Sequence, residues 1–282
     1  MRRDALKVGV VGHIEWVQFA RVEHVPRAGE VVHASEPFEE PAGGGGVAAV
    51  QLARLARHSS LVTALGGDEQ GERSRARLVQ LGVEVHASVC EEPTRRAVTL
   101  LDADGERTIT TLGARLEPRA SLVRERLAAA GGLDGVYVTA GDVECLRAAR
   151  AGARVLVASP RAVHALGQGV EIDALVLSAQ DERELAGAAG AAREARVLVI
   201  TEGERGGRYQ ERSGARGRWR AAALQRPARD SYGCGDSFAA GLTFALAAGM
   251  ELAAALGLAA RCGAECATGR GPYERQLGAQ DL

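Results

Sequence analysis

Short apolar segments alternate with helical segments through the second half of the chain. Gly135–Thr139, Arg154–Ala158, Ala174–Leu177 and Val197–Thr201 have the β-branched composition of buried strands. Helix-like stretches separate them, including a short one expected at Ala162–Leu166. Consecutive strand–helix units join parallel strands through right-handed crossovers, which places helices on both faces of one sheet. The pattern therefore predicts a doubly wound, mostly parallel α/β fold.

The first half of the chain has a different pattern. Ala97–Asp102 and Thr108–Leu112 alternate as strands do, and Asp104-Gly105 between them predicts a tight hairpin turn. These strands do not fit the strand–helix alternation, so we expect a small separate sheet. The length of 282 residues allows one large α/β domain or two domains.

The basic residues exclude two kinds of chemistry. Lys7 is the only lysine, so the other 34 of the 35 basic residues are arginines. A Walker P-loop and a Schiff-base enzyme each need a lysine at a defined place, and no such motif is present. Phosphate chemistry in this chain must depend on arginine, backbone amides or a metal ion.

The overall charge argues against nucleic acid as a partner. The net charge is −1 and only 4% of residues are aromatic, which excludes a strongly basic binder and a base-stacking platform. A local arginine cluster interleaved with Tyr209 and Trp219 comprises Arg205, Arg208, Arg212, Arg216, Arg218 and Arg220. It fits an RNA-binding hairpin or, as we prefer, the solvated face of a β-hairpin.

The cysteines and the N-terminal segment indicate the compartment. Five cysteines, an odd number without a C-x-x-C spacing, predict free thiols in a reducing cytoplasm. The sequence has no signal-peptide pattern and no apolar run of membrane-spanning length. We expect a cytoplasmic protein with no membrane partner.

The stretch Asp230–Gly241, DSYGCGDSFAAG, carries the strongest indication of chemistry. Its glycines precede a helix, where backbone amides favour an anion. Asp236 at the start of that helix can accept a proton from a substrate hydroxyl while the amides hold a phosphoryl group in transit. The simpler alternative is a glycine turn with a capping aspartate.

This stretch resembles the second signature of the ribokinase (PfkB) family of carbohydrate and nucleoside kinases. Three further motifs resemble family segments in the same order along the chain. They are Ala42–Gly46 leading into Leu52–Leu55, the G-x-D-x-x-G-like turn in Leu65–Gly71, and Thr201–Gly206.

The resemblance implies a fold and a reaction. The fold is a single ribokinase-like domain over residues 1–282, a three-layer α/β/α structure with a small β-sheet lid from approximately residues 13–40 and 94–112. The reaction uses ATP and Mg²⁺ to phosphorylate a hydroxyl of a sugar-like or nucleoside-like small molecule. An exposed lid edge could also pair two chains in a homodimer.

The resemblance also implies site residues, motif by motif. Asp236 is the general base, and Gly233, Cys234 and Gly235 supply the amides of the anion hole. The residues implied for nucleotide binding are Ser178, Thr201, Gly203 and Gly206, and those implied for substrate binding are Glu15, Gly43, Gly44 and Val47. Asp181 is placed to hold a hydrated Mg²⁺, and Asp230 lies where some members bind a monovalent cation such as K⁺.

Several positions depart from the family pattern. Val47 and Val17 stand where family members have Asn and Asp that bond the acceptor, and Glu15 is the available substitute. Ser178 and Asp181 replace the Asn and Glu of an N-x-x-E motif near the phosphates. Two hypotheses follow: an active kinase whose acceptor is unlike ribose, which we favour, and a catalytically inactive nucleotide- or ligand-binding relative.

The segment Gly43–Ala48 also matches a dinucleotide fingerprint, G-x-G-x-x-A. That fingerprint must directly follow a buried strand. The preceding segment, Ser35–Pro41, is acidic and interrupted by proline, so it is not the buried strand that the fingerprint requires, and we reject a nicotinamide-binding function.

Overall fold

The computed structural model describes residues 6–282. The elements follow in the order β1 (Val8–Val11), β2 (Glu15–Arg21), β3 (Ser35–Ala42), α1 (Gly43–Ala56), β4 (Ser59–Gly66), α2 (Glu69–Gln80), β5 (Val83–Cys90), β6 (Arg96–Leu101), β7 (Arg107–Leu112), α3 (Ala120–Ala129), β8 (Leu133–Val138), α4 (Val143–Gly152), β9 (Ala153–Ala158), β10 (Ile172–Ser178), α5 (Glu182–Ala191), β11 (Ala195–Thr201), β12 (Gly207–Glu211), β13 (Arg216–Trp219), α6 (Cys234–Ala247) and α7 (Leu252–Ala267).

A nine-stranded sheet has the order β13-β12-β11-β10-β9-β8-β1-β4-β5. Every pairing from β11 to β5 is parallel. Only β12 and β13, a hairpin at one edge, pair antiparallel. Parallel strands need crossover connections. Helices supply them except between β9 and β10, where residues 159–171 form turns and bends.

Helices cover both faces of this sheet. In each inner strand the apolar residues alternate between two cores: Val10 faces one with α1, α2, α6 and α7, and Val11 faces the other with α3, α4 and α5. Successive side chains of a strand point to opposite faces, so a run of consecutive apolar residues is buried on both sides. These two cores make the three-layer α/β/α arrangement.

A second, four-stranded sheet, here called the lid sheet, has the order β3-β2-β6-β7. β2 pairs antiparallel with β3 and parallel with β6, and β6 pairs antiparallel with β7. Phe19 of β2 packs edge-on against Tyr232, with ring centroids 4.9 Å apart. The lid sheet therefore lies against the loop that precedes α6.

The structure confirms the doubly wound fold with its small separate sheet and the hairpin predicted within residues 207–219. One predicted element is wrong: Ala162–Leu166, expected as a short helix, forms turns. Pro160 precedes this segment, and Gly167 and Gly169 follow it with φ of 76° and 81°. Helical φ values are negative, so these glycines end any helical continuation.

The segment before α1 is an edge strand of the lid sheet and lies largely within residues 13–40, from which the lid was predicted. Ser35–Ala42 forms β3 at the edge of the lid sheet, and most of its side chains are at least partly exposed. An edge strand tolerates proline because its free side needs no N–H donors. The strand is not the buried one that a dinucleotide fingerprint requires.

Two further observations concern the compartment. All five cysteines are free thiols, as predicted. Within residues 6–282, no helix combines the length and the apolar character needed to cross a membrane. The cytoplasmic location itself stays a prediction.

Candidate active site

The carboxyl ends of the central strands meet at one edge of the large sheet. His13 follows β1, Thr139 follows β8, Arg161 follows β9, and Ser178 ends β10. The sheet grows in two directions from β1, with β8 to β11 on one side and β4 and β5 on the other. Doubly wound sheets bind ligands at such a switch point, outside the carboxyl ends of the strands.

The N-terminus of α6 lies at the same edge. Gly233 caps it with φ of 82°, a left-handed conformation that glycine adopts without strain. The helix begins at Cys234, so its first amides have no intrahelical acceptor. Asp236 lies in the first turn and is only 8% exposed. The predicted base and the amides predicted to form the anion hole thus share one helix terminus, where the dipole favours negative charge.

Arg161 forms an ion pair with Asp236. One guanidinium nitrogen, Nη1, lies 3.0 Å from Oδ1 and 3.3 Å from Oδ2 of Asp236, and Nε donates to Glu184 at 2.9 Å. The second oxygen of Glu184 accepts the backbone N–H of Ser178 at 2.8 Å. The Asp236 charge raises the pKa of Arg161 further above its usual value. A chain of charged groups therefore links the α6 terminus to the end of β10.

The glycine run at the start of α1 lines the site because it has no side chains. A Cβ built on Gly44 would lie 2.9 Å from Oδ1 of Asp236 and 3.0 Å from Oγ1 of Thr139. Gly45 is bonded to the His13 carbonyl through its amide at 3.1 Å. Gly43, with φ of 79°, would place a Cβ 3.1 Å from the same carbonyl. Side chains at these positions would close the space beside Asp236.

Sequence reasoning missed the role of His13 in this site. His13 and Glu15 are both buried, with His13 Nε2 at 3.8 Å and Arg95 Nη1 at 3.2 Å from Oε1 of Glu15. Burial lowers the pKa of His13 well below its usual value, and the charges of Arg115, Arg161 and Arg95 act in the same direction. Burial raises the pKa of Glu15, against the opposing charge of Arg95. In the sequence, His13 is not at a metal-ligand spacing from another histidine. Nothing in the sequence therefore indicated that it belongs to this buried cluster.

A cleft of about 490 Å³ extends from Arg161 along the end of β10. Ser178 and Asp181, both predicted near the phosphates, line it, together with Arg107, Gln180, Glu182, Arg183 and Glu184. One carboxylate oxygen of Asp181, Oδ1, accepts the amides of Arg183 and Glu184 and so caps α5. Oδ2 of Asp181 accepts no hydrogen bond from residues 6–282.

Thr201, Gly203 and Gly206 lie further along the same edge, after β11. The Thr201 hydroxyl donates to the carbonyl of Leu177 at 3.2 Å. Gly206 has φ of 85°, and a Cβ there would lie 2.1 Å from the Trp219 carbonyl. β11 is two strands away from β9, which carries Arg161, so these three residues are placed apart from Asp236.

The arginine cluster is partly neutralised by carboxylates. The buried Glu202 accepts from Arg208 and Arg218, and Glu171 accepts from Arg212 at 2.6 Å. Trp219 stacks on Phe238 with ring centroids 5.6 Å apart. These ion pairs and the aromatic stacking contact stabilise the hairpin, and they explain the arginine cluster without a nucleic-acid partner.

Asp230 is buried in the loop before α6. Its oxygens accept the amides of Tyr232 and Gly271, each at 2.8 Å, which ties the loop to the segment after α7. Burial raises the pKa of its carboxyl, and the charges of Arg107 and Arg21 oppose that shift. Each oxygen retains a second lone pair, so the carboxylate can still act as one ligand of a cation.

Val17 and Val47 are fully buried in the core that includes α1 and α6. A Cβ on Gly233 would lie 2.9 Å from Cγ1 of Val47, so Val47 packs directly under the loop of the anion hole. Of the four residues predicted to bind substrate, only Gly44 lies directly against Asp236. Gly43 and Glu15 both lie beside His13, and Val47 packs under the turn at Gly233.

The whole arrangement is a ribokinase-like fold. The crystal structure of a putative ribokinase from Agrobacterium tumefaciens superposes with a TM-score of 0.80 at 22% identity, covering 97% of this chain and 95% of that one. A ribokinase from Arabidopsis thaliana, complexed with ribose and ATP, gives a TM-score of 0.74 at 19% identity, with coverage of 98% and 97%. Phosphofructokinase-2 from Escherichia coli, in complex with potassium, gives 0.73 at 17%, with coverage of 98% and 96%.

The family follows from the sequence itself. The model of the pfkB family carbohydrate kinases matches residues 5–130 and 168–277 of this chain. The chain therefore belongs to the PfkB family of carbohydrate kinases, as the four motifs predicted. No curated protein sequence matches it significantly.

Proposed function

We propose that this protein is an ATP-dependent kinase that phosphorylates a hydroxyl group of a sugar-like or nucleoside-like small molecule. The observation that carries the proposal is the position of Asp236. Its carboxylate lies in the first turn of α6, beside helix amides that have no intrahelical acceptor and against the bare backbone of Gly44. A base and an anion hole at one helix terminus are the two parts that phosphoryl transfer to an alcohol requires.

In this proposal each group has one task. Asp236 accepts the proton of the acceptor hydroxyl as that oxygen bonds to the γ-phosphorus. The amides at Gly233, Cys234 and Gly235 bind the equatorial oxygens of the phosphoryl group in transit. A Cβ built on Gly235 meets nothing within 4 Å, so the space above this amide is open. Preorganised amides of this kind stabilise charge without reorganising during the reaction.

The cleft along β10 suits the triphosphate of ATP. Its lining supplies arginines, the Ser178 hydroxyl and carboxylates. Mg²⁺ usually keeps several waters and binds through one or two carboxylates together with substrate phosphates. Asp181 fits that role, since its Oδ1 is fixed by helix amides while Oδ2 is left for a hydrated ion. Bound there, the ion would neutralise phosphate charge. We assign Thr201, Gly203 and Gly206 to the nucleotide end of the same cleft.

The acceptor end is assigned to Glu15, Gly43 and Gly44. Glu15 is buried beside Arg95 and His13, and its carboxyl can accept hydrogen bonds from acceptor hydroxyls. The family's Asn and Asp positions are occupied here by Val47 and Val17, which are buried in the core. In this proposal, the polar groups that bind the acceptor therefore differ from the Asn and Asp of the family pattern.

A monovalent cation is part of the proposal. Asp230 supplies one carboxylate in the loop before α6, and backbone carbonyls would complete the coordination. Phosphofructokinase-2 of E. coli, one of the neighbours, was solved with potassium. We expect K⁺ to raise activity relative to Na⁺, and the Asp230→Asn variant to lose that difference.

The alternative is a catalytically inactive nucleotide- or ligand-binding relative. The observation that favours it is the ion pair of Asp236 with Arg161, which occupies both oxygens of the base. On this hypothesis the protein binds ATP and transfers phosphate to no acceptor.

The test is ADP release from Mg·ATP across pentoses, hexoses, sugar phosphates, nucleosides and polyols, with and without K⁺. Asp236→Asn is the matched control, since it keeps the shape of the side chain and removes the charge. We expect a hit on at least one acceptor and a loss of about 10²–10⁴-fold in kcat in the variant. Thermal unfolding and ATP titration of the variant establish that it is folded. A variant that retains most of its turnover would contradict the role of Asp236, and ATP binding without transfer would favour the inactive relative.

A further inference from the structure

Three polar side chains converge on the point where a Gly44 side chain would be. A Cβ there would lie 2.9 Å from Asp236 Oδ1, 3.0 Å from Thr139 Oγ1 and 3.4 Å from Arg161 Nη1. Each comes from a different element, namely α6, the end of β8 and the loop after β9. The Thr139 hydroxyl is fully buried and has no hydrogen-bond partner among residues 6–282. Asp236, Thr139 and Arg161 therefore present polar atoms side by side against the bare backbone of Gly44.

The guanidinium of Arg161 is only partly used by the protein. Nε donates to Glu184 and Nη1 to Asp236, while Nη2 makes no hydrogen bond to the described part of the chain. Arg161 is also on the wall of the 490 Å³ cleft that leads to Ser178 and Asp181. The planar guanidinium can bind a carboxylate through one edge and a phosphoryl oxygen through another at the same time.

Arg107 and Arg183 also line the cleft, but among residues 6–282 only Arg161 forms an ion pair with Asp236. Lys7 is the only lysine of the chain, and its Nζ donates to the carbonyl of Ala130 at 2.8 Å, at the opposite end of the sheet from the cleft. Arg95 and Arg115 pair with Glu15 and Glu117. Arg161 is thus the cation in direct contact with the proposed base.

We propose that Arg161 is a catalytic residue whose guanidinium contacts the phosphoryl group during its transfer while it holds Asp236. This rests on the proposed function. The acceptor oxygen bonds to the γ-phosphorus, and the bond from that phosphorus to the β,γ-bridging oxygen breaks. The acceptor proton passes to Asp236, and ADP leaves with the electron pair of the broken bond. Arg161 neutralises the charge on the phosphoryl oxygens between the donor and the acceptor.

The proposal gives the ion pair with Asp236 a function. The ion pair holds the carboxylate and the guanidinium in direct contact with each other. The group that accepts the proton and the group that neutralises the phosphoryl charge therefore act at the same place. Glu184 holds the other edge of the guanidinium and is itself fixed by the Ser178 amide. The orientation of Arg161 is therefore set by the strand that also borders the proposed phosphate cleft.

The experiment uses Arg161→Gln and Arg161→Lys, with Arg150→Gln as the matched control. Arg150 forms a similar half-buried ion pair, 2.7 Å from Asp173, in the strand-start region away from the cleft. We expect Arg161→Gln to lower kcat by about 10³-fold, in the range of arginines that act on phosphoryl groups. Arg161→Lys should recover only part of this loss, because an ammonium cannot hold two anions in the same fork geometry. Arg150→Gln should keep wild-type kcat.

A second readout separates catalysis from structure. The affinity for ADP with aluminium fluoride, which stands in for the transferring phosphoryl group, should fall in Arg161→Gln by far more than the affinity for ADP alone. Equal affinity for the aluminium fluoride complex, or a loss of kcat that vanishes at higher pH, would show that Arg161 only positions Asp236 and would overturn the proposal. If wild-type protein phosphorylates no acceptor, the proposed function fails, and the aluminium fluoride titration still decides the contact made by Arg161.

Discussion

The α-carbon of Gly44 faces the carboxylate of Asp236 so closely that a single added methyl group would lie 2.9 Å from Oδ1. This is closer than a carbon and an oxygen approach without displacement of one of them. The three nearest neighbours of that methyl group would all be polar side-chain atoms, from Asp236, Thr139 and Arg161. No apolar side chain lies among them that could move aside. The Asp236 carboxylate can lie this close to the main chain only because residue 44 has no side chain.

Gly44→Ala should therefore lower kcat/KM by at least about 10²-fold, since a shift of about 1 Å in reacting groups has that effect. Gly257→Ala is the control, because Gly257 lies within α7 and a Cβ there meets nothing within 4 Å. We expect unchanged activity and up to about 1 kcal/mol of added stability for the control. Steady-state kinetics and urea unfolding measure both. Normal turnover by Gly44→Ala would place the reaction elsewhere.

His13 should make the protein less stable in mild acid. Its pKa is lowered in the folded state by burial and by Arg115, Arg161 and Arg95, while Glu15 lies beside it. Below the unfolded pKa of about 6.5, the unfolded chain binds a proton that the folded chain does not, so the free energy of unfolding falls as pH falls. The slope from this group is at most about 1.4 kcal/mol per pH unit.

The measurement is urea unfolding of wild type and His13→Asn from pH 7.5 to 5. The difference between the two isolates His13, because His86, whose pKa burial also lowers, contributes equally to both proteins. We expect a flatter pH dependence in the variant. Identical slopes would show that His13 titrates normally in the folded state.

Restoring the family's Asn at position 47 should destabilise the chain. Val47 is fully buried and packs against the turn at Gly233. An amide placed there loses hydration without gaining partners, at about 1–3 kcal/mol. Val31→Asn, at a position that is 86% exposed, should change stability by less than about 0.5 kcal/mol. Unchanged unfolding of Val47→Asn together with new turnover on ribose would show that position 47 faces the acceptor.

We further propose that two chains pair through the lid sheet. β7 is an edge strand whose residues are all exposed, and Ile109 and Leu112 are 42% and 43% accessible. Exposed apolar edge strands favour pairing with another strand. The double substitution of Ile109 and Leu112 by Glu should convert a dimer to a folded monomer in light scattering. Val89→Glu, an equivalent change on the edge of the large sheet, should leave the dimer intact. A monomeric wild type at micromolar concentration would end this proposal.

The fold was predictable because its information is local. Strands such as Val8–Val11 and Val197–Thr201 are β-branched runs between glycines and polar turns, and a repeated strand–helix order leaves few topologies. Pro37 and Pro41 correctly exclude a buried central strand before α1, and β3 takes the edge position of the lid sheet that tolerates them. The helix expected at Ala162–Leu166 was wrong because alanines favour helices only where the flanking backbone allows it.

The site was predictable only where a contiguous motif carries it. Asp236 and its glycines are adjacent in sequence, so the motif revealed them together. The pairing of Arg161 with Asp236 joins residues 75 positions apart, and His13 meets Arg95 and Arg115 only through the topology of the two sheets. Contacts of that kind depend on tertiary geometry, which no single stretch of sequence encodes.

The two sheets supply different parts of the candidate site, and this separation has an evolutionary consequence. The groups that we assign to phosphate binding come mainly from the ends of β9 and β10 and from α6, and Arg107 of β7 is the lid residue that lines the same cleft. Glu15, Arg95 and Arg115 belong to the lid strands or the segments beside them. Substitutions in the second group can change which alcohol is accepted without disturbing the first. Proteins with this fold can therefore change the alcohol that they accept through a few substitutions in the lid sheet. The residues assigned to phosphate transfer stay the same while selection acts on each substitution.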